Sequence, residues 1–207
     1  MKKILISTLL LFLIFTIPVT AEQPTEEQYQ INVIDKSIKA AVSLSNLVDG
    51  ASGFYVAPNY ILTNEHVVAA MPKPVVYTRF GACFDNEIVA TNKVKDLALI
   101  KTGCKSDDYI TLADKVTQGQ DSYIIGDPSK IGIMALSGIV TMIKDDKTAR
   151  GIFVDASVHP GSSGSALVNS DGRLIGVVVG RNERATSLAV AIHLTDVKAF
   201  LERNGIK

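Results

Sequence analysis

SGFYVAPNYILTNEHVV, residues 52–68, holds two short runs of apolar and β-branched side chains, 52–57 and 60–64, divided by Pro58-Asn59. Proline and asparagine punctuate turns, so the stretch reads as two strands that end near His66, where a short helical turn begins. The same grammar extends outward along the chain. KAAVSLS (39–45), VVYTRF (75–80), CFDNEIVA (83–90), DLALIK (96–101), SYIIG (122–126), GIMALSGIVTMI (132–143), GIFVDAS (151–157), SALVN (165–169), LIGVVVG (174–180) and SLAVAIHL (187–194) are β-like, with Gly, Pro, Asn and Asp between them. Regularly spaced short strands indicate an antiparallel sandwich or barrel. The looser stretch 103–120 parts them into two sets of about six. The expected fold is therefore all-β: two six-stranded antiparallel β-barrels, at about 38–104 and 119–194, with a connector between them. Only the tail, TDVKAFLERNGIK, has helical spacing: Thr195 can cap it, and Val197, Phe200 and Leu201 share a face. A C-terminal helix is expected over about 195–204.

The chain opens MKKILISTLLLFLIFTIPVTA, with two lysines, an apolar run from Ile4 to Ile17 and small residues before Glu22. That is the three-part pattern of a secretory signal peptide, 1–21, cut after Ala21. The apolar run is short of the roughly 20 residues that span a bilayer. Cleavage removes two lysines and no acid from a chain in which 21 basic residues balance 21 acidic ones. Near-neutrality without a basic cluster gives no footprint for nucleic acid. The longest later apolar run, 131–143, is broken by Gly, Ser and Thr, so the mature chain is expected off the membrane, periplasmic or secreted. Residues 22–37 begin with the polar EQPTEEQYQ and read as a flexible lead-in.

Two cysteines flank a turn segment, TNKVK (91–95). If Val89 faces Ala98 across that hairpin, Cys83 faces Cys104, within disulfide reach. Export to an oxidising compartment favours the bond; two buried thiols are the alternative.

Three residues at element ends carry the chemistry. His66 closes a strand, Asp96 opens the apolar strand DLALIK, and Ser163 lies in PGSSG. Such a set suits a nucleophilic hydrolase, in which a base takes the hydroxyl proton and an acid fixes the base's tautomer. Spacing alone does not single out these three. The motifs around them do more: SGFYVAPNYILTNEHVV, KDLALIK and HPGSSGSALVNSDGRLIGVV, in that order, resemble trypsin-like serine proteases of the chymotrypsin fold, most closely the HtrA (DegP-like) protease domain. The resemblance covers about residues 38–202. It implies His66 as general base, Asp96 as its orienting acid, Ser163 as nucleophile, and the N–H groups of Gly161 and Ser163 as an oxyanion hole. Ser162 and Ser165 become turn and strand residues, and His159 a solvent-facing histidine at the cleft rim.

By the same resemblance Ser157 lies at the base of the primary specificity pocket, with Val178, Val190 and Ala191 as walls. No fixed charge stands among them, so small or branched apolar side chains are the expected fit. Ser162 replaces the aspartate that pairs with a new N-terminus in pancreatic-type enzymes, so zymogen-style trimming is not expected. HtrA enzymes commonly carry PDZ domains, and this sequence stops soon after the closing helix, so a minimal protease without a PDZ domain is expected. His193 lacks partner ligands nearby, and no metal site or cofactor is read. A polypeptide is the expected partner, and a homo-oligomer is possible but not indicated. The rival reading is a protease-like module that binds peptides without cutting them, because a small misplacement of catalytic groups abolishes rate.

Overall fold

The computed structural model describes residues 25–46, 48–146, 150–182 and 187–206. The segment read as a signal peptide, 1–21, lies outside the described residues. Strands β1 (Ala41–Ser45), β2 (Gly50–Ala57), β3 (Tyr60–Thr63), β4 (Val75–Thr78), β5 (Gly81–Cys83), β6 (Asn86–Asn92) and β7 (Leu97–Thr102) form one sheet, in the order β5-β4-β1-β2-β3-β7-β6. Strands β8 (Asp121–Gly126), β9 (Met134–Asp145), β10 (Arg150–Asp155), β11 (Ala166–Asn169), β12 (Leu174–Arg181) and β13 (Leu188–His193) close into a six-stranded barrel. This is the expected all-β architecture in two units, with one difference in detail. The first unit has seven strands and is curled but open, because β5, only three residues long, and β6 are its free edges.

Local chemistry explains the pieces. Pro58-Asn59 turns β2 into β3, which pair Phe54 with Leu62 and Tyr55 with Ile61. Strand β7 buries Leu97, Ala98, Leu99 and Ile100 in succession, as a strand covered on both faces must. Outer strand β6 alternates half-buried and exposed side chains instead.

Cys83 and Cys104 are joined, their Cα atoms 6.0 Å apart, but not by the expected route. Ile88 pairs with Ile100 and Ala90 with Leu99, so Val89 is an extra residue in a bulge and does not face Ala98. Cys83 lies at the end of β5, paired with Val76, and the chain bends before β6.

One helix departs from expectation and a second meets it. Residues Glu26–Ala40 form α1, not a flexible lead-in. The Thr25 hydroxyl accepts the Gln28 N–H at 3.2 Å, Glu26 and Glu27 favour the positive end, and Ile34 and Ile38 pack on the core. The Tyr29 hydroxyl donates to Asp171 at 3.2 Å, tying α1 to the β11–β12 turn. Residues Glu65–Ala70 form the short α2 foreseen at His66.

The C-terminal α3, Leu194–Arg203, starts one residue early and is capped by His193, whose Nδ1 accepts the Thr195 N–H at 3.2 Å. Val197, Phe200 and Leu201 are buried in a core that also holds Phe54, Leu62 and Leu99 of the first unit and Ile125, Ala166 and Val177 of the second. The two units therefore share one apolar seam, and the candidate site lies along it.

Candidate active site

His66 sits on the first turn of α2, and Asp96 ends the turn that leads into β7. Asp96 has φ of 52°, in the left-handed region that aspartate tolerates better than most residues. The Asn64 side-chain amide donates to the Asp96 carbonyl at 3.0 Å and holds that conformation. From there the carboxylate does two things. It accepts the His66 backbone N–H at 2.9 Å, supplying the cap that Asn64 does not provide, and it accepts from Nδ1 of the ring at 2.8 Å. The hydrogen bond to Asp96 raises the imidazole pKa above its ordinary value of 6.5; burial opposes it, and the charges of Asp96 and Glu65 assist. With Nδ1 committed to the carboxylate, Nε2 is left to accept a proton.

The serine loop, 159–165, comes from the second unit. Gly161 has φ of +97° and Gly164 of +82°. A Cβ on Gly164 would lie 2.0 Å from the Ser52 carbonyl oxygen and 2.3 Å from Thr63 Oγ1, so the loop abuts β2 and β3 three residues before His66. Four successive carbonyls of the loop are pinned. Pro160 O accepts from Ser129 N–H (2.7 Å), Gly161 O from the Ser52 hydroxyl (2.8 Å), Ser162 O from Ser165 N–H (3.0 Å) and Ser163 O from Ser52 N–H (2.8 Å). Among the described residues the N–H groups of Gly161 and Ser163 have no such partner. Two free donors on a rigid loop are what an oxyanion needs.

The Ser163 hydroxyl donates to the Val179 carbonyl at 2.7 Å, not to the imidazole. That carbonyl is available because Val179 is an extra residue in β12: Val178 pairs with Ala191, and Gly180 with Val190.

A cavity of about 150 Å³ lies beside Ser163. Its lining is Val158, His159, Pro160, Gly180 and Arg181 with Ser163. Val178 and Ala191 are buried inside the second barrel with Ile152 and Ile175, because side chains alternate faces along β12 and Val177 takes the seam side. Val190 is half-buried opposite Phe153, and Ser157 is exposed; neither lines the cavity. His159 stands at the rim, exposed, its N–H donating to Ser162 Oγ at 3.2 Å. His193 serves the α3 cap away from this cleft, and its burial lowers its pKa.

Sequence reasoning passed over Ser52, Asn64, Asp127 and Val179. Asn64 closes the run 60–64, but no local pattern marks residues whose partners lie as far away as Ser52 and Gly161, 109 positions apart.

Comparison with known proteins finds serine endoproteases among the relatives of this chain. The chain is 30% identical over 200 residues to the serine endoprotease DegS of Haemophilus influenzae, covering 84% of this chain and 58% of that protein. It is 33% identical over 126 residues to the periplasmic pH-dependent serine endoprotease DegQ of Escherichia coli, covering 57% and 28%. It thus spans between about a quarter and three-fifths of these relatives. The crystal structure of a serine endoprotease from Yersinia pestis superposes with a TM-score of 0.74 at 25% identity, covering 88% of this chain and 67% of that one. Because a model of the trypsin-like peptidase domain also matches residues 51–177, a span that contains His66, Asp96 and Ser163, the chain belongs to the trypsin-like peptidase family.

Proposed function

We propose that this chain is an exported serine endopeptidase that cuts polypeptides through an acyl-enzyme formed on Ser163. The observation that carries this reading is the serine loop: its carbonyls are held elsewhere, leaving the Gly161 and Ser163 N–H groups free, while on the first unit a carboxylate orients the imidazole of His66. In the first step Ser163 Oγ attacks the scissile carbonyl carbon while His66 Nε2 takes the hydroxyl proton. The carbonyl oxygen gains negative charge between the two donors, Asp96 stabilises the imidazolium, and the same proton then passes to the leaving amine. Water repeats the sequence on the acyl-enzyme and restores Ser163.

The attack requires Oγ to leave the Val179 carbonyl, a rotation about one side-chain torsion. The resting contact is also the observation that favours the second reading, a peptide-binding module that does not cleave. A fluorophosphonate probe separates the two. Labelling of the wild type that disappears in Ser163→Ala, with matching loss of peptide hydrolysis, supports the peptidase; peptide binding without labelling supports the module.

Small or branched apolar residues remain the proposed preference at the cut, now on different walls. Val158 and Pro160 give apolar surface, Gly180 gives room, and Arg181 disfavours lysine or arginine. Profiling with a peptide library tests this, and a profile dominated by cationic residues overturns it. The leader at 1–21 and relatives named as periplasmic support export. Detection of the mature chain, starting at Glu22, outside the cytoplasm checks it.

A further inference from the structure

We propose that Ser52 is a positioning residue for this reaction, acting across the seam to hold the oxyanion donors in place; the proposal rests on the peptidase reading above. Ser52 is fully buried on β2. Strand β3 pairs with β2 only from Phe54 onward, so the edge of β2 at Ser52 is left to the serine loop. All three polar groups of Ser52 are used there. Its N–H donates to Ser163 O (2.8 Å), its carbonyl accepts from Thr63 Oγ1 (2.8 Å), and its hydroxyl donates to Gly161 O while accepting Asp127 N–H, each at 2.8 Å.

The hydroxyl is the decisive group. The peptide plane it holds, Gly161–Ser162, lies between the plane that carries the Gly161 N–H and the plane that carries the Ser163 N–H. Each plane is rigid, with C=O and N–H pointing oppositely, so the two donors keep a common aim only if the plane between them is fixed. Through Asp127 the same hydroxyl joins a strap, residues 127–132, that fixes the preceding plane: Ser129 N–H holds Pro160 O at 2.7 Å. The strap is itself braced by the buried Asp127 carboxylate, which accepts Ser43 Oγ at 2.5 Å and Gly132 N–H at 2.8 Å. Ser129 and Lys130 sit there in left-handed backbone, φ 60° and 57°. One hydroxyl from the first unit therefore links both halves of the support for the oxyanion site in the second. Removing it leaves the Gly161 carbonyl without its donor and frees the plane to turn.

The test is Ser52→Ala and Ser52→Cys in the mature chain, measured against wild type per titrated active site. For Ser52→Ala, kcat is expected to fall about ten- to hundred-fold with KM within about threefold, since a misaimed oxyanion donor acts on the transition state. Affinity for a peptide boronate, which places an oxygen in the oxyanion site, should fall by the same factor, while affinity for a product peptide stays unchanged. Ser52→Cys, which keeps a weak donor, should recover part of the loss and carries the test if the alanine variant does not fold. The proposal is overturned if a folded variant keeps wild-type kcat per active site, or if boronate and product-peptide affinities fall together. Absence of hydrolysis and probe labelling in the wild type overturns the peptidase reading, and this proposal with it.

Discussion

At the scale of single residues, Asp96 shows how one side chain serves fold and chemistry at once. Its carboxylate caps α2 through the His66 N–H and orients the imidazole through Nδ1, so the helix that presents the proposed base is stabilised by the group that directs it. In the proposed reaction only neutral His66 accepts a proton. Because the Asp96 hydrogen bond raises its pKa, kcat/KM should fall on the acid side as pH drops through a value above 6.5. Asp96→Asn should move that limb to lower pH and cut the plateau rate by about four orders of magnitude; a pH–rate profile of both proteins checks this. Stability runs the opposite way. A histidine whose folded pKa is raised contributes most below its ordinary value and loses that contribution as pH rises through the folded one. The thermal advantage of wild type over Asp96→Asn should therefore shrink above pH 6.5. Gly161 is a second residue with no substitute: φ of +97° and a Cβ position 2.8 Å from Asp127 O exclude a side chain. Gly161→Ala should lower kcat at least about a hundredfold, measured per folded molecule by circular dichroism and single-turnover kinetics.

At the scale of elements, α1 is the informative case. The polar opening of the lead-in conceals a helix whose signals are a threonine cap, two acids in the first turn and apolar residues at 34 and 38. Thr25→Ala should cost about 1 kcal/mol, and Ile38→Ala more, both read from urea unfolding. Truncation before Ser43 should be worse than either, because α1 leads directly into β1. For α3 the cap is a neutral histidine, and protonation removes the acceptor that Thr195 N–H uses. Since burial lowers the pKa of His193, its contribution is present above the ordinary value of 6.5 and is lost as pH falls below it. His193→Asn, which keeps an acceptor without a titrating proton, should flatten that part of the pH dependence of thermal unfolding.

At the scale of the whole molecule, the seam makes two sheets behave as one body. Its apolar core runs from Phe54 and Leu99 through Ile125 and Val177 to Phe200, and its polar rim is closed by Asp196, which pairs with Lys95 and Arg150 at 3.1 Å each. Lys95 precedes Asp96, so the second unit's helix steadies the turn that carries Asp96. The disulfide belongs to the first unit alone. Its neighbours, Tyr55, Asn86 and Thr102, take no part in the site. Replacing both cysteines by serine should therefore cost about 3 kcal/mol of stability, for a bridge 21 residues apart, and leave kcat within about twofold below the unfolding transition. Denaturant titration and peptide hydrolysis on the double variant measure the two separately.

What the amino-acid string determined by itself is what a few neighbouring residues encode. Strand periodicity, turn residues and the local motifs around His66, Asp96 and Ser163 were legible, and with them the two-unit β architecture. The C-terminal helix was legible from its spacing, though α1 was not. Tertiary structure alone decided which faces those strands present and what crosses the seam. A single extra residue at Val89 or Val179 shifts the pairing, redirects every later side chain and frees a carbonyl, and nothing local announces it. The bulge at Val179 gives the Ser163 hydroxyl its resting acceptor, side-chain alternation along β12 turns Val178 into the second barrel, and the edge of β2 that β3 leaves open makes Ser52 the contact with the serine loop. These are contacts between residues far apart in the chain, set by the packing of two sheets rather than by the preference of any one segment.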